Sequence, residues 1–385
     1  YQRFRSTFNF VANENLRAVV QMQFGGAGGD ALWGDRNQVD QFTRRGHASG
    51  NFGDVNFRQS YLEFMVPNTQ ATVKAGWQWW ALPSTLGSHI FDFRVPAVVV
   101  NTPITDMVGL TVGYARSDDT ALEKDSFDHF LAIVPVTMDG FEINPFVWYA
   151  NQGSNAPGNE TSRNFFWGGI NATVDMFDPV VIHGDFNFGQ AGKQVSGTRI
   201  GEQRGWITAL AVEYKMDMLT PMVFGLYESG EDRRSATDER RGRVMPRVAG
   251  DLNFTSFGFA GSQFGGTSWY QFDGMTGGPS HTGGASGKWA VGLKLQDISF
   301  MDDLTHEFQL VYYEGTNRAV ENNAQLFTRD DRAWEVNFNS SYQVYENLAA
   351  ILELGYLAPS LKDADDRGLT DDDSWKAAAG FRYRF

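Results

Sequence analysis

The chain has 385 residues, with 42 Gly, 31 Phe, 13 Tyr, 11 Trp, no Cys and a formal net charge of -14. That charge argues against a nucleic-acid partner, the lack of Cys excludes a disulfide framework and thiolate sites, and no apolar run reaches the ~18 residues of a membrane-crossing helix. The aromatic load and a mean hydropathy on the polar side of zero fit one arrangement: aromatics girdle the outside of a barrel and polar side chains line its inside.

The start, Tyr1-Gln2-Arg3-Phe4, has none of the features of a signal peptide, so the chain reads as mature and processed. Residues 1–12 alternate, with Arg3, Arg5, Thr7 and Asn9 against Phe4, Phe8, Phe10 and Ala12. After a turn at Asn13-Glu14-Asn15, Leu16, Ala18, Val20, Met22 and Phe24 oppose Arg17, Gln21 and Gln23. A long Gly- and Asp-rich loop follows, over about 25–54. Residues 55–66 read as a strand and 67–69 as a turn. Then Ala71, Val73, Ala75 and Trp77 oppose Thr72, Lys74 and Gln78. Residues 94–102 form a strand, with a turn near 103–106, and Val108, Leu110, Val112 and Tyr114 give the next apolar face. Strands at 127–137 and 141–150 flank Met138-Asp139-Gly140, a hairpin turn.

Ile170, Ala172 and Val174 share one face; Ile182, Phe186 and Phe188 then oppose His183, Asp185 and Asn187. Leu210, Val212 and Tyr214 oppose Glu213 and Lys215, and 221–229 pairs with that strand. The segment 230–285 carries Arg233, Arg234, Arg240, Arg241, Arg243 and Arg247 before a Gly- and aromatic-rich stretch. A loop that long is functional or disordered as a rule; here it either narrows a pore or is a long exposed loop that latches a neighbouring subunit. Alternation resumes at 288–296, 307–312, 334–343 and 348–356. It ends with Trp375, Ala377, Ala379, Phe381, Tyr383 and Phe385 against Lys376, Arg382 and Arg384.

The fold class is therefore all-β: a transmembrane antiparallel barrel of about 16 strands, with short periplasmic turns and long extracellular loops. It forms one domain over 1–385. A sheet inside a bilayer must close, because lipid cannot satisfy an open edge. No propeller-like period occurs. None of the six His residues has metal-ligand spacing, and neither GxSxG nor a phosphate loop is present, so no catalytic residue is assigned.

Inside the barrel, Arg3, Arg5, Arg17, Lys74, Lys376, Arg382 and Arg384 fall on lumen faces of strands adjoining the closure point, and together make a basic wall. The inward sets are polar, with no aromatic track; Trp33, Trp79, Trp80 and Trp269 fall in loops. The acidic run Asp363, Asp365, Asp366, Asp371, Asp372 and Asp373 is dense in oxygen donors for a surface Ca2+, although Arg367 and Ser374 depart from a calcium loop.

Strand alternation ending on Phe385 is similar to that of bacterial outer-membrane barrels, and the chain resembles the trimeric general porins. Ser60-Tyr61-Leu62-Glu63-Phe64-Met65-Val66-Pro67 and Asp106-Met107-Val108-Gly109-Leu110-Thr111 are similar to segments of outer-membrane homotrimeric porins of sulfate-reducing bacteria. The resemblance implies a homotrimer in the Gram-negative outer membrane, among membrane lipid and lipopolysaccharide. It implies passive diffusion of small hydrophilic solutes and ions, with no cofactor and no enzymatic step. In general porins the third external loop folds inward and faces the basic wall with carboxylates. The resemblance therefore makes Asp118, Asp119, Glu123, Asp125 and Asp128 the constriction acids. Net charge and acidic loops then predict a weak preference for cations. The alternatives are a porin specific for a sugar or an organic anion, and a barrel enzyme.

Overall fold

Alternation of side chains carries this fold from end to end. The computed structural model describes residues 3–25, 55–87, 90–118, 126–153, 162–192, 202–232, 243–248, 254–259, 261–264, 287–318, 327–367 and 371–385. They form β1 (Arg3–Asn13), β2 (Leu16–Gly25), β3 (Val55–Met65), β4 (Thr72–Ala81), β5 (Asp92–Pro103), β6 (Gly109–Asp118), β7 (Phe127–Ile133), β8 (Val136–Met138) and β9 (Phe141–Gln152). The second half holds β10 (Arg163–Phe177), β11 (Val180–Ala191), β12 (Gln203–Tyr214), β13 (Thr220–Glu228) and β14 (Lys288–Met301). It continues with β15 (Leu304–Gly315), β16 (Arg332–Tyr345), β17 (Leu348–Ser360) and β18 (Ser374–Tyr383).

The sheet is an antiparallel meander. Each strand pairs with the next in sequence, from β1 to β7 and from β9 to β18. β7 and β8 both pair with β9, so they make one broken pass. The break falls at Val134-Pro135, where proline has no N–H to give the ladder. The passes therefore exceed the expectation of about sixteen, which follows the even-number habit of bacterial barrels and lets the two chain ends share one strand. In the structure each end has a full strand, paired along its length with its own neighbour. The ends do meet: the Phe4 ring stacks on Phe385 with centroids 5.6 Å apart. Among the described residues no ladder joins β1 to β18.

Burial separates the two faces. On β16, Trp334 and Phe338 are exposed while Glu335 and Asn337 are fully buried. On β17, Leu352, Leu354 and Tyr356 are exposed while Ile351, Glu353 and Leu357 are buried. A soluble sheet does the reverse; apolar-out and polar-in is the pattern of strands facing lipid. Aromatic pairs such as Trp206–Tyr227 and Tyr312–Trp334 sit on the outside, with ring centroids 4.6 and 4.9 Å apart.

Turns fix the register at the short-loop end. Gly140, between β8 and β9, has φ +70°, and a Cβ there would lie 2.6 Å from the Cβ of Met176. Gly140→Ala meets both the left-handed backbone and that contact, so it should destabilise the refolded protein by more than about 1 kcal/mol. Thermal unfolding in detergent checks this, and an unchanged midpoint would remove the turn from the determinants of register.

Candidate functional site: the lumen and the strap that crosses it

The segment between β13 and β14 does not stay outside. Its described parts, 243–248, 254–259 and 261–264, run through the interior as a strap. Val244, Met245 and Val248 are buried against β10–β12, where Trp167 Nε1 donates to Pro246 O at 2.8 Å. Phe254, Phe257 and Phe259 are buried too. Phe254 and Phe259 stack on each other and pack on Tyr313 of β15, and Phe257 lies over Gly355 of β17. Each such ring contributes roughly 1.5–3 kcal/mol by leaving water.

Inward polar groups of the wall hold the strap's backbone. Gly258 N donates to Glu335 Oε1 at 3.1 Å, and Gln263 N donates to Glu353 Oε1 at 2.6 Å. Lys376 Nζ donates to Ser256 O at 2.7 Å and to Glu353 Oε2 at 2.5 Å. At the strap's root, Glu228 closes β13 and Lys288 opens β14. Lys288 Nζ lies 2.9 Å from Glu228 Oε2, and Arg247 Nη2 of the strap lies 3.5 Å from Oε1. All three side chains are out of solvent. Burying an unpaired charge is costly, so charge pairing here dictates where the segment can lie.

A second segment folds in between β4 and β5. Leu82, Leu86, Ile90 and Phe91 are buried, and Thr85 N donates to Asp185 Oδ2 at 2.7 Å. Val248 N donates to Ile90 O at 3.1 Å, so the two insertions touch inside the barrel. Around them runs a chain of inward aromatics. Phe91 lies 4.4 Å from Trp148, Trp80 lies 5.0 Å from Trp148, and Phe165 stacks on Trp167 at 5.4 Å. This corrects the expectation of polar-only inward faces. Trp80 lies on β4 with its ring inside, and Trp79 lies on the same strand, exposed, under the Arg94 guanidinium. Trp33 and Trp269 lie outside the described residues.

On β9–β17 the inward Trp148, Ile207, Tyr313 and Asn337 are buried beneath the insertions, while nearer the short turns the inward His183, Glu213 and Glu307 keep side-chain exposures of 29%, 22% and 28%. On β2 and β3 the inward Arg17 and Glu63 keep 47% and 25%. Among the described residues, the basic side chains gather on the wall from β18 through β4. Arg5 Nε donates to Gln23 Oε1 at 2.6 Å, and Arg58, which the sequence reading passed over, donates to the same oxygen at 2.8 Å. Arg17 pairs with Glu63 at 2.6 Å, and Lys74 Nζ sits 4.1 Å over the Tyr61 ring. Arg382 Nη1 donates to Gln263 Oε1 of the strap at 3.2 Å. Arg384 lies beyond β18, its N donating to Asn347 O at 2.8 Å. Lys376 leaves the group, since it is buried under the strap. Arg3 is placed by its backbone alone, opposite Gly25.

Of the acids expected to constrict the pore, Asp128 is the one whose side chain lies among the described residues. Asp119, Glu123 and Asp125 lie outside the described residues, and Asp118 is placed by its backbone as the end of β6. Asp128 is a strand residue on the outer face, not a lumen acid. It pairs with Arg116 at 2.8 Å and accepts from Tyr114 OH at 2.6 Å, beside exposed Phe130. One step along a strand reverses the face, and His129 is the residue that turns inward, its Nε2 2.7 Å from Ser117 Oγ. Asp365 and Asp366 open a single 3-10 turn, and Asp373 accepts from Tyr356 OH. Among the described residues no three metal-binding side chains converge on one point.

No protein-family model and no curated relative matches the chain. Solved structures do match its fold. OpdK of Pseudomonas aeruginosa with vanillate superposes with a TM-score of 0.53 at 10% identity, over 98% of this chain and 90% of that one. A BenF-like porin from Pseudomonas fluorescens Pf-5 gives 0.53 at 12% identity, over 99% and 91%. OccK5 (OpdH) of Pseudomonas aeruginosa gives 0.51 at 13% identity, over 100% and 93%. The chain has the fold of an outer-membrane porin.

Proposed function

We propose that the chain is an outer-membrane channel, selective rather than general, that passes small anionic solutes along its basic wall. The observation that carries this reading is the gathering of basic side chains on one wall. Among the described residues, the strap and the segment between β4 and β5 pack on β9–β17, and the wall from β18 through β4 carries Arg5, Arg17, Arg58, Lys74 and Arg382. Glu63 is the acid among them, and Arg17 pairs with it. A narrow bore makes lining charge count for more than charge at the mouth, which salt screens within about 10 Å. The net charge of -14 therefore does not govern, and the proposal reverses the cation preference expected from it. Vanillate, held by one fold neighbour, is a solute of the anionic class proposed here. In the same reading no bond is made or broken, and the subunits form the trimer implied by the porin resemblance.

Reversal potential in planar bilayers under a KCl gradient tests this. The native protein should prefer chloride. Arg17→Gln with Lys74→Gln leaves Glu63 facing the bore without its two cationic neighbours, so the local charge changes sign. Arg5, Arg58 and Arg382 remain on the wall, so the reversal potential should move from the chloride side toward zero. A native channel that prefers potassium, or a double variant that leaves the potential unmoved, would sink the reading.

A further inference from the structure

We propose that the outer face of the barrel, at its long-loop end, binds the phosphorylated headgroup of a membrane lipid. A cavity of about 610 Å3 opens there, above the apolar belt. Its floor is the outward aromatics Phe188, Trp206 and Tyr227 from β11, β12 and β13, and Arg204, Arg243 and Arg329 are among the other residues that line it. Arg204 lies over the Phe188 ring at 5.1 Å, and Trp206 stacks on Tyr227 at 4.6 Å. Arg329 is aimed by a bond from its Nε to Thr316 O at 3.0 Å, which leaves both Nη groups of the fork for another acceptor. Arg243 meets Asp232 at 3.3 Å while its side chain stays 73% exposed. Asp232 is not part of the cavity lining, and among the described residues no acid is.

The chemistry is that of an anionic amphiphile. Guanidinium forks pair with phosphate in two parallel bonds. Exposed aromatics directly below suit the glycerol- or sugar-to-acyl junction, where Trp and Tyr sit at membrane interfaces. The three arginines come from β12, the strap's entry and the β15–β16 connection. A headgroup would therefore tie together the elements around the strap's root. The placement in the outer leaflet rests on the channel reading above; the cavity itself does not.

The test uses the full chain in detergent micelles, titrated with a bis-phosphorylated glucosamine lipid and followed by Trp206 fluorescence and native mass spectrometry. Binding should be saturable and should fail for the dephosphorylated lipid. It should weaken roughly tenfold for each of Arg204→Gln, Arg243→Gln and Arg329→Gln, while Arg116→Gln on the far outer face has no effect. Equal binding of phosphorylated and dephosphorylated lipid, or Gln variants that bind as the native protein does, would overturn the site. Inorganic phosphate is the second probe: arginine-dependent binding of phosphate without binding of the lipid overturns the lipid as its source. Bilayer conductance of the same variants should stay unchanged. A native protein that conducts but does not bind the lipid sinks this inference alone, whereas lipid binding by a native protein that is silent in bilayers sinks the channel reading alone.

Discussion

Glu228→Ala should be the most damaging single substitution in the interior, costing about 3–5 kcal/mol. Glu228 is the shared partner of Lys288 and Arg247, and none of the three side chains reaches water. Truncation takes the shared carboxylate away from two cations in a site where neither reaches water. Glu228→Gln keeps an acceptor oxygen and the same shape, so it should be milder. Lys288→Met removes one of the two cations that Glu228 serves, so the pair Glu228→Ala with Lys288→Met should lose less than the sum of the two singles. Thermal unfolding of the detergent-solubilised protein measures this. Strict additivity, or a native midpoint for Glu228→Ala, would show that the strap's root is not held by charge.

The same three residues show what a sequence can and cannot reveal. Glu228 and Lys288 both lie at strand ends, on faces that alternation assigns correctly. Their meeting depends on β13 and β14 being neighbours although a long insertion separates them, and hairpin connectivity predicts that. Arg247 is different. It lies in a segment with no period, where Phe254, Phe257 and Phe259 match neither strand nor helix spacing. Nothing local says whether such a stretch seeks a lumen or a neighbouring subunit. Its destination is decided by small inward residues on distant strands, which make room for it.

Strand faces were legible wherever one side is apolar and the other polar. β16, β17 and β18 follow the alternation residue by residue, with Trp334, Leu352 and Phe381 outside and Glu335, Glu353 and Lys376 inside. β9 was not legible in that way. Phe146 and Trp148 point in, and Val147 and Tyr149 point out. Both faces are apolar because the inner one packs on the 82–91 segment, so a period of two carries no information there. Asp128 misled for a related reason. An acid next to a loop reads as a loop acid, yet an outward carboxylate is stable here because Arg116 and Tyr114 stand beside it on the neighbouring strand.

Gly205→Leu should detach the strap and widen the channel. Gly205 faces inward on β12, and a Cβ there would lie 2.3 Å from Met245 N and 2.4 Å from Val244 C. Those are backbone atoms, so no rotamer change relieves the contact. The wall must bulge or the strap must leave. At Gly205 the wall is held by the β11 ladder opposite Gly189, and two residues on by the β13 ladder from Ile207, whereas the strap at Val244 and Met245 is held by packing and by the Trp167–Pro246 bond. The strap is the part that yields. Overpacking of this kind costs about 1–3 kcal/mol, less than Glu228→Ala, but its effect on conduction should be larger because it acts where the strap crosses the lumen. Single-channel conductance should rise, and the fluorescence of Trp167 should shift to the red as water reaches it. Gly225→Ala is the control: its Cβ would meet only Ala290 O at 3.7 Å, and neither quantity should change. If Gly205→Leu unfolds late, reddens Trp167 and still conducts like the native chain, the strap does not set the bore. The narrowing would then belong to the 82–91 segment, whose backbone the strap meets at Ile90.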